Sequence, residues 1–169
     1  MTVVRSSPNL IVGALTVLGI CLPGQGVGAA HGADLILQGP SVITTEFHGE
    51  DRPLDLPRTR RLILSQGDRR GTTVQWTAGP FVHSRDNHFV ADSRLQIAAS
   101  QGGNSAVAIL VAQDETHVEH GDRLATVSAG VVRPGISGIE MQVSFLARDA
   151  SVLASGVYST RVVGTITGH

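Results

Sequence analysis

The segment His117-Val118-Glu119-His120, with Asp122 close behind it, is the densest group of metal-ligand residue types in the chain. In an extended strand His117 and Glu119 would project to one side, and His120 or Asp122 could fold back through a turn at Gly121. Imidazole nitrogens suit Zn²⁺ and carboxylate oxygens suit Ca²⁺. The spacing is not the HExxH helix pattern of zinc peptidases. His117, Glu119, His120 and Asp122 are therefore a candidate metal set, and the alternative is a solvated polar hairpin.

Two further groups carry residue types used in hydrolysis. The segment His83–His88 contains Ser, His and Asp, but adjacent loop residues seldom reach triad geometry, and no Gly-x-Ser-x-Gly elbow accompanies them. We expect a loop between two strands in which Asp86 or Asn87 caps the turn. Four acidic residues could supply the carboxylate pair of a glycosidase: Glu50, Asp51, Asp55 and Asp68. We expect no enzyme, with a metal-dependent or hydrolytic enzyme as an alternative.

Arginine and tryptophan are the candidate polymer-binding residues. The clustered arginines are Arg58, Arg60, Arg61, Arg69 and Arg70. Their guanidinium forks match the phosphate or carboxylate groups of an anionic polymer, and the alternative is a solvated edge strand. In a regular strand Arg60 and Arg61 point to opposite faces. Trp76 is the only Trp and would stack on a sugar if exposed, whereas its two-residue phase with Val74 favours the core. Trp76, Arg60, Arg69 and Arg70 are the ligand-binding candidates.

Period-two alternation of apolar and polar residues recurs along residues 31–169, and no segment of helical length shows a 3.6-residue period. Alternation is clearest over residues 138–145, and it recurs over 72–78, 94–99 and 158–166. Each of these segments predicts a strand with one buried face.

Less regular strands are expected at 34–38, 42–48, 60–66, 105–113 and 123–132. The nearly continuous apolar run Ala106–Ala112 is typical of a central strand covered on both faces, or of a short buried helix. About eight to nine short strands separated by Gly and Pro turn signals predict an all-β fold. We expect one antiparallel β-sandwich, Ig-like or jelly-roll-like, over residues 31–169.

Residues 1–30 have the features of an export signal that forms a helix and is cleaved. Arg5 is basic, Leu10 to Leu22 are mostly apolar, and Gly24 to Ala30 are small. The apolar stretch is shorter than the roughly 18 to 20 residues that span a bilayer. We therefore expect a protein secreted to the cell surface, without a membrane span once the signal is removed.

Composition narrows the chemistry further. The only Cys is Cys21, inside the predicted signal, so the mature chain would have no disulfide and no Cys-based metal site. All thirteen basic residues other than His are Arg, which excludes a Lys Schiff base and a Lys isopeptide bond. The net charge of −1 and 4% aromatic content offer no surface for nucleic acid. We expect no cofactor.

Three stretches in order resemble the WxL-type cell-surface domain of bacteria. They are 62–76 with its Asp-x-Arg-Gly turn and Trp76, 91–97, and 145–167 with the closing Gly156-Val157-Tyr158 strand. The resemblance implies a β-sandwich at the cell surface that holds the wall non-covalently. The chain reads Trp76-Thr77-Ala78 where that family has Trp-x-Leu. The Gly-x-Tyr-x-x-Thr ending is also similar to closing strands of pilin-like and spore-coat-like subunits.

These features predict a secreted, non-catalytic bacterial surface protein that associates with a cell-envelope polymer or with surface proteins. The main alternative is a self-assembling fibre subunit that associates through its edge strands. In that case residues 34–39, at the new N-terminus, would pair with an edge strand of a neighbouring copy, and Leu35 and Leu37 would fill its pockets.

Overall fold

A computed structural model describes the backbone of residues 10–18, 33–37, 44–47, 52–65, 72–100, 107–131 and 133–168, and the side chains of 52–64, 72–100, 107–131 and 133–167. These ranges contain thirteen strands and two single-turn 3-10 helices. The strands are β1 (Leu10–Leu18), β2 (Ala33–Leu37), β3 (Thr44–Phe47), β4 (Leu54–Asp55), β5 (Thr59–Ser65), β6 (Thr72–Ala78), β7 (Phe81–His83), β8 (Val90–Ala99), β9 (Val107–Val111), β10 (Gln113–Glu115), β11 (Ala125–Val131), β12 (Gly135–Leu146) and β13 (Val157–Gly168).

The strands form two layers of an antiparallel β-sandwich that are joined at β7. The first layer has the order β2-β5-β12-β8, with β4 also on β12 and β10 on the far edge of β8. The second layer has the order β13-β6-β11-β9. Strand β7 pairs with β13 in the second layer and with β8 in the first, so the hydrogen bonding is continuous. The predicted all-β antiparallel fold is confirmed.

A single apolar core lies between the layers. The predicted inward faces are confirmed, because Val74 and Trp76 of β6, Met141 and Val143 of β12, and Tyr158 of β13 are all buried in one cluster. Three aromatic rings link the layers edge to face, with Phe145 centroids 5.1 Å from Phe81 and 5.6 Å from Tyr158. Such edge-to-face pairs add about 0.5 to 1.5 kcal/mol each beyond their buried area.

The apolar run at Ala106–Ala112 was predicted to be a central strand or a buried helix, and both predictions are wrong. The expected strand 105–113 divides into β9 and β10, which belong to different layers. Within the described residues β9 pairs only with β11 and ends the second layer. An apolar run is more frequent in central strands but does not fix how many strands pair with it, so this edge could not be recognised from composition.

The strand count also exceeds the predicted eight or nine. Strands β4, β7 and β10 have two or three residues each, which is too short for an alternating pattern to be visible. Strand β2 pairs antiparallel with β5 of its own chain, from Ala33 opposite Ser65 to Leu37 opposite Arg61. In this structure residues 34–37 of the segment proposed to reach a neighbouring copy are therefore part of the first layer, and residues 38–39 lie outside the described residues.

Only Leu10–Leu18 of the predicted signal is described, and its backbone is strand β1 where the sequence predicted a helix. Strand β1 pairs parallel with β13 and antiparallel with β3. Cys21 and the predicted cleavage region lie outside the described residues, and cleavage stays a prediction. None of the helices in the described residues has the length and apolar character needed to cross a bilayer.

Candidate functional site

Trp76 is in the core and not on a polymer-binding surface. It lies opposite Val127 of β11 and Gly164 of β13, and its side chain is 1% exposed. The proposed role as a ligand-binding residue is therefore wrong, and the core position favoured by its phase is confirmed. Within the described residues no group accepts a hydrogen bond from the buried Trp76 Nε1. An unpaired buried donor costs about 1 to 3 kcal/mol, so the ring is held by packing alone.

The predicted arginine cluster is not a single surface patch. Arg60 is exposed and Arg61 is buried, which confirms that the two point to opposite faces of β5. Burial lowers the pKa of Arg61, and its Nη1 donates to the carbonyl of Arg60 at 3.2 Å. Arg58 forms an exposed ion pair with Glu140 at 3.6 Å. The remaining candidates, Arg69 and Arg70, lie outside the described residues.

The predicted metal residues form a tight turn, and the turn does not gather their side chains. The backbone of His117 exchanges hydrogen bonds with Asp122 at 2.8 and 3.1 Å, around a 3-10 turn that ends at Gly121 with φ +82°. The His117 and His120 rings are 6.2 Å apart. Arg148 Nη2 donates to His117 Nδ1 at 3.0 Å, which occupies that lone pair and places a cation beside it.

Within the part of the chain that the structure describes, no three His, Cys, Asp or Glu residues are arranged to hold a metal ion. The side chains of His117, Glu119, His120 and Asp122 therefore do not form the metal site that the sequence suggested. The polar hairpin that the sequence offered as the alternative is what forms, with His117 and Asp122 paired through their backbones across the turn.

The Ser, His and Asp residues of His83–His88 form a structural loop between β7 and β8. Asp86 Oδ1 accepts from the backbone N–H of His88 at 3.0 Å and lies 2.9 Å from its Nδ1. These two hydrogen bonds lower the pKa of Asp86. The backbone N–H of Asp86 donates to His83 Nδ1 at 3.1 Å, so the ring nitrogen is an acceptor. The predicted capping of this turn by Asp86 is confirmed.

Of the four acidic glycosidase candidates, Asp55 accepts a 2.6 Å hydrogen bond from Ser144 Oγ between β4 and β12. The others, Glu50, Asp51 and Asp68, lie outside the described residues. The structure therefore assigns a role in strand pairing to the one member that it describes.

A polar network around Asp92 was not recognised from the sequence. Asp92 is buried and its Oδ1 accepts from Thr116 Oγ1 at 3.0 Å and from Val118 N–H at 2.9 Å. Its Oδ2 accepts from Arg148 Nε at 2.6 Å, and this hydrogen bond raises the pKa of Arg148. Glu115 accepts from Arg94 at 2.6 Å and lies 3.5 Å from Arg148. Asp92 lies in the stretch 91–97 that resembles the WxL-type domain, just before the predicted strand 94–99, and a charged residue at this place was the available signal.

A shallow cavity of about 200 Å³ lies on the outer face of the first layer. Gln113, Gln96 and Gln142 stand in one row across β10, β8 and β12, because Gln96 is opposite both of the others in register. The Gln96 amide donates to Gln113. The small side chain of Ala98 forms part of the lining beside this row, and the Arg58 and Glu140 ion pair closes one side.

The edge of the second layer is the most apolar exposed feature of the described strands. On β9, Leu110 is 58% exposed and Val111 is 41% exposed. A bulge between Ser128 and Ala129 of the β11 pairing shifts the register at this point. An exposed apolar edge strand is a template for pairing with another chain.

Comparisons of the chain with protein-family models, with curated proteins and with solved structures find no match. The resemblance to the WxL-type domain stays a prediction.

Proposed function

We propose that this chain is a secreted, non-catalytic structural protein of the bacterial cell surface that joins other surface proteins by strand pairing. The observation that carries the proposal is the β9 edge, where apolar residues stand exposed on a strand with one described partner. Soluble proteins normally protect such edges with charge, Pro or a covering segment. An edge that retains Leu110 and Val111 therefore suits addition of a partner strand, in which main-chain hydrogen bonds supply affinity.

The burial of Trp76 supports this mode of association over sugar stacking. A residue that is 1% exposed cannot meet a polymer without unfolding β6. The His and Asp groups that suggested chemistry make structural contacts, as in the contacts of Asp86 with His88 and of His117 with Arg148. The resemblance to a WxL-type domain therefore supports the surface location more than wall binding through Trp76.

The proposal is tested by placing a charge on the β9 edge. We expect Leu110→Lys to reduce retention of the exported chain in the envelope fraction by about tenfold, because an edge Lys loses its hydration when a second strand covers it. The measurement is quantitative fractionation after cross-linking.

Leu124→Lys is the matched control. Leu124 is 60% exposed, as accessible as Leu110, but it precedes β11 and lies outside any strand. It should leave retention unchanged. Equal retention of the wild-type chain and Leu110→Lys would contradict the proposal, and circular dichroism establishes that both variants are folded.

A second candidate function is binding of an envelope polysaccharide, and the cavity beside the glutamine row favours it. Amide groups donate to and accept from hydroxyl groups, and both amide and guanidinium N–H groups donate to carboxylate oxygens; hydroxyl and carboxylate are the groups that such polymers present. Gln142→Ala should weaken binding to purified wall polymer at this cavity. Gln75→Ala is the control because Gln75 is exposed on β6 in the other layer. Equal binding by the two variants would count against the cavity.

A further inference from the structure

The edge of β13 is covered by a segment that the sequence predicts to be removed. One edge of β13 pairs with β6 and β7. The other edge pairs in parallel with β1, from Ile11 opposite Val157 to Leu18 opposite Val163. Strand β1 lies wholly within residues 1–30, the predicted export signal. Removal of that signal takes this strand away from β13 over Val157–Val163.

From β13 to β9, neighbouring strands of the second layer alternate in direction. β13 is antiparallel to β6, β6 to β11, and β11 to β9. Four alternating strands make β9 antiparallel to β13 at the opposite side of the same layer. A second copy placed beside the first in the same orientation therefore brings its β13 antiparallel to the first copy's β9, and the alternation continues without a reversal.

We infer, resting on the proposed function, that the partner of β9 is the β13 edge of a second copy, and that β1 caps this edge until the export signal is removed. The five residues of β9 fit within the seven that β1 covers on β13. Both edges present apolar side chains, since Val157 of β13 is 37% exposed and Leu110 and Val111 of β9 are exposed as well. An incoming antiparallel strand also replaces a parallel one, which is the slightly less stable pairing per residue.

This contact is heterologous, because β9 of one copy meets β13 of the next. A heterologous contact that does not close into a ring builds an open filament. The precursor would remain single, since its own β1 occupies the acceptor edge. Assembly would therefore begin only after export and cleavage, without a covalent step.

Two edge variants that complement each other test the inference. Val157→Lys damages the acceptor edge and leaves β9 intact, whereas Leu110→Lys damages β9 and leaves the acceptor edge intact. We expect the exported wild-type chain to form filaments and each variant alone to be a single chain. An equal mixture should form dimers and stop, because only one productive contact remains. Analytical ultracentrifugation and electron microscopy measure the sizes.

Val152→Lys is the control for added charge, since Val152 is 63% exposed in a 3-10 turn that belongs to neither edge strand. It should form filaments like the wild-type chain. Mass spectrometry of the exported chain identifies its N-terminus, and a peptide of residues 10–18 added in excess should shorten the filaments.

Four results would overturn the inference. They are a single-chain exported wild type at its highest soluble concentration, dimers of Val157→Lys alone, filaments of Leu110→Lys, and an exported chain that retains residues 10–18. Filaments of Leu110→Lys would instead point to residues 34–39 as the donor strand. A single-chain wild type that still needs Leu110 for envelope retention would leave the proposed function standing and remove only the self-partner.

Discussion

Gly156→Ala tests how β13 is locked to the loop between β7 and β8. A Cβ at Gly156 would lie 2.0 Å from His83 Nε2 and 2.8 Å from His83 Cδ2. The imidazole has little freedom to move, because it is buried and its Nδ1 accepts from the backbone N–H of Asp86. The ring also packs edge-on against Tyr158, with centroids 5.1 Å apart. The backbone at Gly156 has φ +157°, a value that residues with a side chain rarely adopt.

The loss of stability in Gly156→Ala follows from the contacts of the His83 imidazole that the new Cβ would disturb. A 2.0 Å approach is far inside ordinary contact, so the imidazole must move and push on Tyr158. Overpacking of a well-packed core costs about 1 to 3 kcal/mol. Loss of the Asp86 N–H contact to His83 adds about 1 kcal/mol. We therefore expect Gly156→Ala to lower the free energy of unfolding by about 3 kcal/mol, which a domain of ordinary stability survives.

Urea unfolding of a double-mutant cycle measures this contact directly. His83→Ala alone should cost about 2 to 3 kcal/mol through the cavity and the lost hydrogen bond. With the imidazole absent, Gly156→Ala should cause little further loss of stability. The double variant should therefore lose about 2 kcal/mol less free energy of unfolding than the two single variants lose in sum.

Gly79→Ala is the matched control. A Cβ at Gly79 would meet nothing within 4 Å, and its φ lies outside the glycine-favouring range. It should therefore be neutral or slightly stabilising. The reasoning is refuted if Gly156→Ala changes the free energy of unfolding no more than Gly79→Ala does, or if the cycle with His83→Ala is additive.

Three further predictions concern charged and titrating groups. Asp92→Ala should lower the free energy of unfolding in urea by about 3 kcal/mol, because it removes the acceptor of the buried Thr116 hydroxyl, of the half-buried Val118 N–H and of the Arg148 cation. An effect smaller than that of Asp149→Ala, which removes an exposed cap, would contradict this prediction. The hydrogen bonds from His88 lower the pKa of Asp86, so the stability they supply is present above the pKa of the unfolded chain and is lost as pH falls through the folded pKa. In an NMR titration, His88→Ala should raise the pKa of Asp86. The pKa of Asp149, which hydrogen bonds from Ser151 lower, should not change. Burial raises the pKa of Tyr158, the only Tyr in the sequence, so its phenolate absorbance should appear at higher pH in the folded chain than in the urea-unfolded chain. The free energy of unfolding should fall as pH rises above about 10. If the folded and unfolded chains titrate at the same pH, the ring is not buried.

Much of the fold could be predicted because burial in a strand is a local property. Successive side chains alternate between faces, so the pattern at 72–78 and at 158–166 identified the inner faces of β6 and β13. The same rule placed Arg60 and Arg61 on opposite faces, and it favoured the core for Trp76. The loop at His83–His88 was also predicted correctly, since its cap joins residues only two positions apart.

The candidate site was less predictable because it depends on distant residues. Asp92 meets Thr116 and Arg148, which are 24 and 56 positions away. The metal prediction at His117–Asp122 met the opposite difficulty, because nearness in sequence does not direct side chains to one point. In the described residues these side chains form no metal-holding group, and His117 Nδ1 accepts from Arg148.

The sequence by itself determined the class of fold, the faces of the long strands, and an apolar segment at the start of the chain with the features of an export signal. It could not determine which strands lie at the edges, because each edge is set by pairing between segments far apart in the chain. Only the tertiary structure decided that, among the described strands, Val107–Val111 ends its layer and that Leu10–Leu18 covers β13. These two features, the β9 edge and the β13 edge that β1 covers, make strand pairing between copies the mode of association to test.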